Sequence, residues 1–390
     1  MRSSDPADAG TIHDWPLRRR LVASSLQGLG ADLVALQEAS PVQALDLEDE
    51  LGPGWGVKVD PCNATAWAGV DPYNAFAGPS EAEARAANGV AWRKDRLCFI
   101  SASTFWLCNT PDSERNDPSC WGGSGYHRSV QVSKFTDLFT GKIICLFSCH
   151  FDHDGDDSMA TGGASARRES AALLMTRALT EQRSGKVDVV LVAGDFATFE
   201  DRSGACYSAL TAAGEDQFVD VRDVRGALII EHGRGGGSWE GWETDQWCRA
   251  NVGGEQRYSQ IFVGATTPVF RTWVPEERFA LRWRGQEYYV YASDNLPVVA
   301  DIGVPASKKP LITIRGLAMA RAPKTVATTK SLLVMGLMAV MILLFVGLLV
   351  NLMWDLLGQS VECRFQCRDR KTDPPFDAHL FTNLSCATVG

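Results

Sequence analysis

The chain has 390 residues, of which 45% are hydrophobic, so it can bury one large core or two ordinary ones. Its formal net charge of -9 at pH 7 gives no general attraction for polyanions, and non-specific electrostatic binding to nucleic acid is therefore not predicted. The eleven cysteines show neither the paired short spacing of a zinc site nor the density of a disulfide scaffold.

Apolar periodicity predicts a mixed sequence of helices and strands. Leucine and valine side chains recur at helical spacing between residues 17 and 29, and the apolar run 32–37 then predicts a short buried strand. A second helix is predicted at 165–182. Further strands are predicted at 89–92, 97–100, 128–135, 142–148, 187–193, 258–263 and 296–301. This order fits an α/β sandwich of two sheets covered by helices.

The carboxyl-terminal part differs from the rest in composition. Residues 304–330, with three prolines and mostly small or basic side chains, predict a basic linker. Residues 331–354 contain no charged side chain and predict one transmembrane helix, because about 20 apolar residues span the hydrocarbon layer of a bilayer. A buried core helix is the alternative, but such a helix rarely runs this long without a polar face. Residues 355–390 then form a short tail.

The flanks of the predicted span indicate its orientation. Arg315, Arg321 and Lys330 precede the span, and the positive-inside rule favours a single-pass protein whose large amino-terminal domain is cytosolic. The first 30 residues contain no signal-peptide core, which agrees with a cytosolic domain. Glycosylation sequons at Asn63 and Asn383 lie on both sides of the span, so they leave the orientation open.

Seven short stretches, taken in order, resemble the endonuclease/exonuclease/phosphatase (DNase I-like) superfamily. The resemblance implies a four-layer α/β sandwich over residues 1–303, followed by the transmembrane helix. It also implies Mg²⁺- or Mn²⁺-dependent hydrolysis of a phosphate ester, such as a lipid headgroup, an inositol phosphate or a nucleotide. The stretches occupy residues 31–38, 92–97, 148–153, 194–196, 238–242, 257–263 and 293–301.

By this resemblance, acidic side chains at strand ends hold the metal and activate water. Glu38 matches the metal-binding glutamate, and His150 matches a histidine that contacts the phosphate. Asp195 and Asp294 match aspartates with catalytic and metal-binding roles. Carboxylate oxygens suit a hard cation, and phosphoryl transfer needs mainly positioning and charge neutralisation.

Asp152 and His153 also match the family's pattern and are possible accessory residues. Asp154, Asp156 and Asp157 make the loop that follows unusually acidic, which fits either a second cation site or, more simply, a solvated acidic loop.

Three positions depart from the family's pattern. Ala197 stands where an asparagine donates to a phosphate oxygen, Asn295 where a histidine stabilises or protonates the phosphate, and Ser259 where an aspartate orients that histidine. An asparagine can donate a hydrogen bond but cannot carry positive charge or move a proton. These changes predict reduced or lost turnover.

The amino end also departs from the pattern. The family opens with a strand that carries an active-site asparagine, but no apolar strand precedes Trp15, and the first asparagine in the chain is Asn63. Either the sequence begins too late or the sheet lacks that strand, which would leave a neighbouring strand edge unpaired.

Three functional hypotheses follow. The first is a membrane-anchored, metal-dependent phosphoesterase with an impaired active site. The second is a catalytically inactive member that acts as a membrane-tethered binding or scaffold module. The third is a nuclease, which the acidic charge and the predicted anchor disfavour.

Overall fold

The computed structural model describes residues 14–59, 88–112, 128–152, 163–197, 204–211, 217–230, 257–275, 277–293, 295–305 and 381–389. Backbone contacts divide the chain into one unit of residues 1–311 and 378–390 and a second of 312–377, and the second lies wholly outside the described residues. No helix within the described ranges is long and apolar enough to cross a membrane. The predicted linker, span and most of the tail lie outside those ranges.

Four helices and fifteen strands are described. The helices are α1 (Trp15–Leu29), α2 (Pro41–Leu51), α3 (Ala164–Arg183) and α4 (Ala205–Leu210). The first eight strands are β1 (Leu33–Gln37), β2 (Trp55–Val59), β3 (Asn88–Arg93), β4 (Leu97–Trp106), β5 (Ser129–Asp137), β6 (Ile143–His150), β7 (Val189–Asp195) and β8 (Phe218–Asp220). The others are β9 (Leu228–Ile230), β10 (Ser259–Gly264), β11 (Val269–Trp273), β12 (Phe279–Trp283), β13 (Gln286–Val290), β14 (Val298–Pro305) and β15 (Phe381–Val389).

Two large sheets form the centre of the fold. One has seven strands in the order β2-β3-β1-β15-β14-β11-β9, and the other has six in the order β4-β5-β6-β7-β10-β8. Strands β12 and β13 pair separately as a hairpin. Strands of both sheets contribute to one buried apolar cluster, which includes Leu33, Val90, Leu146 and Leu191. The two sheets therefore pack face to face.

Helices cover the outer faces of both sheets. Leu26 of α1 and Leu47 of α2 pack with Val34 and Leu36 of the seven-stranded sheet. On the other side, Leu174 of α3 belongs to the cluster that contains residues of β6 and β7. The layers run helix, sheet, sheet, helix, in agreement with the four-layer arrangement that the sequence resemblance implies.

Strand β15 comes from the carboxyl end of the chain but lies in the middle of the seven-stranded sheet. It pairs parallel with β1, where Leu33 faces Cys386, and antiparallel with β14, where Val298 faces Thr388. The sequence predicts that these residues form a short tail outside the domain. In the structure they form β15, which satisfies the backbone hydrogen-bonding groups of two neighbouring strands at once. The sequence also predicts an unpaired strand edge, because no apolar strand precedes Trp15. In the structure β15 pairs with both β1 and β14, so these two strands are paired where they face it.

A polar network anchors β15 to its neighbours. The Asp32 backbone N–H donates to the Ser385 carbonyl at 2.7 Å, and the Ser385 N–H donates to the Asp32 carboxylate at 3.2 Å. The Ser385 hydroxyl donates to Asp301, which also accepts from Arg271 Nε at 3.1 Å. These bonds fix the register of the strand on both sides.

We expect Gly194→Ala to destabilise the protein, because a Cβ at Gly194 would lie 2.0 Å from the carbonyl oxygen of Cys149 on the neighbouring strand β6. The atom in the way is backbone and cannot move aside, so the loss should reach the upper part of the range of about 1–3 kcal/mol for overpacking. Chemical denaturation measures it. Gly54→Ala is the control, since no atom lies within 4 Å of its Cβ position. Equal stability of the two variants would contradict the close approach of β6 and β7.

Candidate functional site

Glu38 and His150 meet where β1 and β6 end. Glu38 follows β1 directly, and its Oε1 lies 3.8 Å from Nδ1 of His150, the last residue of β6. The Glu38 side chain is 24% exposed, whereas that of His150 is 8% exposed. The carboxylate therefore reaches solvent in part, while the imidazole is buried.

A buried arginine determines which ring nitrogen of His150 accepts. Arg128 is 1% exposed, and its Nη1 lies 3.1 Å from His150 Nδ1. A guanidinium can only donate, so Nδ1 is the acceptor in this contact and Nε2–H is the donor group of the ring.

Asp195 ends β7 and lies beside His150. The two residues are register partners across the parallel pair β6 and β7, and Ser259 faces Asp195 from β10. Asp195 Oδ1 accepts from the Ala197 backbone N–H at 2.9 Å, and Oδ2 accepts from Asn295 Nδ2 at 2.7 Å. The carboxylate is 9% exposed, so these donors compensate for most of its lost hydration.

The negative charge of Asp195 acts on its neighbours. Burial raises the pKa of the Tyr258 phenol, Asp195 raises it further, and Arg167 opposes the shift. Burial likewise raises the pKa of the Cys149 thiol, with a further contribution from Asp195. Both groups therefore stay protonated at neutral pH, and neither is suited to act as an anionic nucleophile.

The structure brings together three of the four residues predicted for catalysis and metal binding: Glu38, His150 and Asp195. The fourth, Asp294, lies outside the described residues, as does His153. Asp152 is 1% exposed, and its backbone carbonyl accepts from Arg167 Nη1 at 3.4 Å. Burial places Asp152 in the body of the fold, and the acidic loop predicted to follow it lies outside the described residues.

The three substituted positions all surround Asp195. Ser259 is fully buried opposite it, Asn295 donates to it, and Ala197 donates through its backbone. Ala197 has a φ of 45°, and Glu38 has a φ of 53°. Left-handed backbone is uncommon for residues other than glycine and concentrates at functional sites, so these two values mark the same region as the side chains do.

The donor set fits a sparsely held divalent cation. Mg²⁺ is often bound by one or two carboxylates and completes its shell with waters and substrate phosphate oxygens. Glu38 is a half-buried carboxylate at this edge, and among the residues that the structure describes no group of three or more His, Cys, Asp or Glu side chains that could hold a metal occurs. Both Asp195 oxygens accept hydrogen bonds, from the Ala197 backbone and the Asn295 amide.

Sequence reasoning missed Arg128, Tyr258 and the role of Gln37. Gln37 is fully buried, and its Nε2 donates to Ser148 Oγ at 3.1 Å across the two sheets. A single arginine before a strand carries no pattern that distinguishes it from a surface residue. For Gln37, its place directly before Glu38 was the only sequence feature that pointed to a role at the site.

Comparisons with known proteins agree with this architecture at low identity. No protein-family model matches the chain. An uncharacterized protein of Acanthamoeba polyphaga mimivirus is 24% identical over 261 residues, which are 62% of this chain and 35% of that protein. The chain thus spans about a third of the length of this curated relative.

Several solved structures resemble the chain over most of their length. An endonuclease/exonuclease/phosphatase family protein from Bacteroides thetaiotaomicron has a TM-score of 0.59 at 20% identity, covering 77% of this chain and 94% of its own. A mannosyl-6-phosphatase from the same species has a TM-score of 0.59 at 21% identity, with coverages of 77% and 96%. A third, from Bacteroides vulgatus, has a TM-score of 0.55 at 23% identity, with coverages of 78% and 95%.

The two packed sheets, with polar side chains gathered at one edge, define an α/β sandwich with a candidate site at the strand ends. Its fold is that of the solved endonuclease/exonuclease/phosphatase proteins, as the sequence motifs indicated, at identities of only 20–23%.

We expect Ala197→Asn to be more stable than Ala197→Val, because both add similar volume at this buried position but asparagine tolerates the left-handed backbone found there better. Ala197→Val should lose about 1–2 kcal/mol, since a β-branched residue is a clear outlier at this φ. Denaturant unfolding compares the two variants. If valine were tolerated as well as asparagine, the positive φ would be refuted.

Proposed function

We propose that the chain hydrolyses a phosphate ester with Mg²⁺ or Mn²⁺ at the site formed by Glu38, His150 and Asp195, and that its turnover is weakened by substitutions around Asp195. The observation that carries this proposal is the convergence of these three residues, which come from distant parts of the sequence, at the ends of β1, β6 and β7.

Each residue has a role that its contacts support. Glu38 would hold the cation, which when bound supplies positive charge to the phosphate oxygens. The Nε2–H of His150 would donate to a phosphate oxygen, because Arg128 already occupies Nδ1. Asp195 would orient the attacking water and accept its proton. By family resemblance Asp294 would join this group as a catalytic and metal-binding residue.

Asn295 explains why turnover should be low. Its amide holds Asp195 at 2.7 Å, so the carboxylate keeps its position. An amide cannot take up a proton or present a positive charge, and the rate should therefore lack the contribution of about 10²–10⁴ that general acid–base catalysis provides. Ala197 further removes one side-chain donor to the phosphate.

The substrate class follows from the site and the charge. A phosphate ester of a lipid headgroup, an inositol or a nucleotide fits a site that combines a metal with one imidazole donor. The net charge of -9 disfavours long nucleic acids, which bind through many phosphate contacts to basic side chains.

We expect the purified full chain to hydrolyse phosphomonoester or phosphodiester substrates when Mg²⁺ or Mn²⁺ is present, and to stop when the metal is chelated. Asp195→Ala should lower the rate at least 10²-fold, because it removes the group that handles the proton of the attacking water. Asp112→Ala is the control, since this side chain is 75% exposed and pairs with Arg177 of α3 at 2.7 Å. Metal-independent turnover, or turnover unaffected by Asp195→Ala, would refute the proposal.

An inactive binding module is the second candidate, and the changes at Ala197, Ser259 and Asn295 favour it. The combined variant Ala197→Asn, Ser259→Asp and Asn295→His restores the family pattern at these positions. If this variant hydrolyses the substrates while the natural chain only binds them, the natural protein is a binding module.

Membrane attachment through residues 331–354 is a further proposal, with the domain on the cytosolic side. A single crossing would place residues 381–389 on the other side of the bilayer from residues 1–305. Strand β15 pairs with β14 over eight residues, which requires both strands to be on the same side. A single crossing and this strand pair therefore exclude each other within one molecule.

We expect Asn383 to stay without a glycan in protein whose β14–β15 pair is formed, because that sequon then lies within a sheet. A glycosidase-sensitive mobility shift in secretory-pathway membranes reports the modification, and Asn383→Gln is the control. A glycan on Asn383 without one on Asn63 would support the single crossing and contradict the strand pair in that molecule.

A further inference from the structure

A network of buried hydrogen bonds links the carboxyl-terminal strand to the candidate site. The Thr388 hydroxyl donates to Gln37 Oε1 at 3.0 Å, and Gln37 Nε2 donates to Ser148 Oγ at 3.1 Å. The Ser148 hydroxyl donates to the Leu36 carbonyl at 3.2 Å. Thr388, Gln37 and Ser148 are all fully buried.

The donor and the acceptor of every hydrogen bond in this network are determined. The Leu36 carbonyl can only accept, so Ser148 must donate to it and accept from Gln37. The Gln37 amide therefore points its nitrogen toward Ser148 and its oxygen toward Thr388. Thr388 donates to the Gln37 oxygen and so helps to hold the side chain in this orientation.

The two inner members of this network, Gln37 and Ser148, are close in sequence to the site residues. Gln37 immediately precedes Glu38, and Ser148 lies two residues before His150 on the same strand. Strand β1 belongs to one sheet and β6 to the other, so the bonds also fix how the two sheet edges meet at the site. Loss of one of these hydrogen bonds should shift Glu38 relative to His150.

We propose that Thr388 is a positioning residue for the site, and that the pairing of β15 with β1 and β14 completes the site by orienting Gln37. The proposal deepens the proposed function and rests on it where metal binding or turnover is the readout. Thr388 does not touch the reacting groups. It acts through Gln37 on the spacing between Glu38 and His150.

Thr388→Val removes the hydroxyl and keeps the shape of the side chain, and Thr388→Ser keeps the hydroxyl. We expect the valine variant to bind Mn²⁺, or to turn over substrate, about 10–100-fold more weakly than the natural chain, as is typical when a group that orients a ligand is lost. The serine variant should stay close to the natural protein.

Thr272→Val is the matched control. Thr272 lies in the same sheet on β11, is equally buried, and donates to the Val299 carbonyl at 3.0 Å, a contact away from the site. The Thr272→Val variant therefore also removes one buried hydroxyl from this sheet. Equal loss of Mn²⁺ binding or turnover in Thr272→Val and Thr388→Val would overturn the positioning role.

A second readout separates this proposal from the proposed function. The NMR signals of the Gln37 side-chain amide and of the His150 imidazole report their geometry without metal or substrate. If the natural chain shows neither Mn²⁺ binding nor turnover, the proposed function fails. A change of both signals in Thr388→Val, but not in Thr272→Val or Thr388→Ser, would still support the positioning role, and unchanged signals would refute it.

Discussion

The candidate site depends on the contact between the ends of β1 and β6, where the amide of Gln37 donates to Ser148 at 3.1 Å. This bond joins the two sheets at the edge where Glu38 and His150 meet. A buried bond of this kind is specific because an unsatisfied amide at the same place would cost about 1–3 kcal/mol. Apolar packing between the sheets is non-directional and allows several alignments. The hydrogen bond between Gln37 and Ser148 forms in only one alignment of the two sheet edges.

Asp195 shows how this edge holds a carboxylate in place with neutral donors. Its two oxygens accept from the Ala197 backbone and the Asn295 amide, so the position of the carboxylate does not need a histidine. The position of a carboxylate and the chemistry of its partner are therefore separable at this point. The Asn295 amide holds the carboxylate but can neither carry a positive charge nor move a proton.

Much of this arrangement could be predicted from the sequence because local patterns carried it. The apolar run before Asp195 predicted a strand, and the structure has β7 at Val189–Asp195. The predicted helix 165–182 corresponds to Ala164–Arg183. The motifs also gave Glu38 and His150, since each follows or ends a strand. The helix at Pro41–Leu51 was missed, although Ser40 and Gln43 form a capping box that the sequence displays.

The place of β15 could not be predicted in the same way. Its partner on β1 is about 350 positions away in sequence, as shown by the bond between Thr388 and Gln37 with a separation of 351. Nothing in a short alternating segment near the end of a chain says which strand it will join. The orientation of His150 by Arg128 was hidden for a similar reason, because contact between side chains on neighbouring strands depends on register.

The order in which the ribosome makes these strands has a consequence for biogenesis. Strand β14 is complete at Pro305, but β15 begins only at Phe381. At roughly 5–20 residues per second, translation of the intervening stretch takes on the order of 4–15 s. Until then β1 and β14 both present open hydrogen-bonding edges in the centre of the nascent sheet, and such edges recruit other chains. Newly made copies on one polysome are therefore at risk of exchanging this last strand with one another.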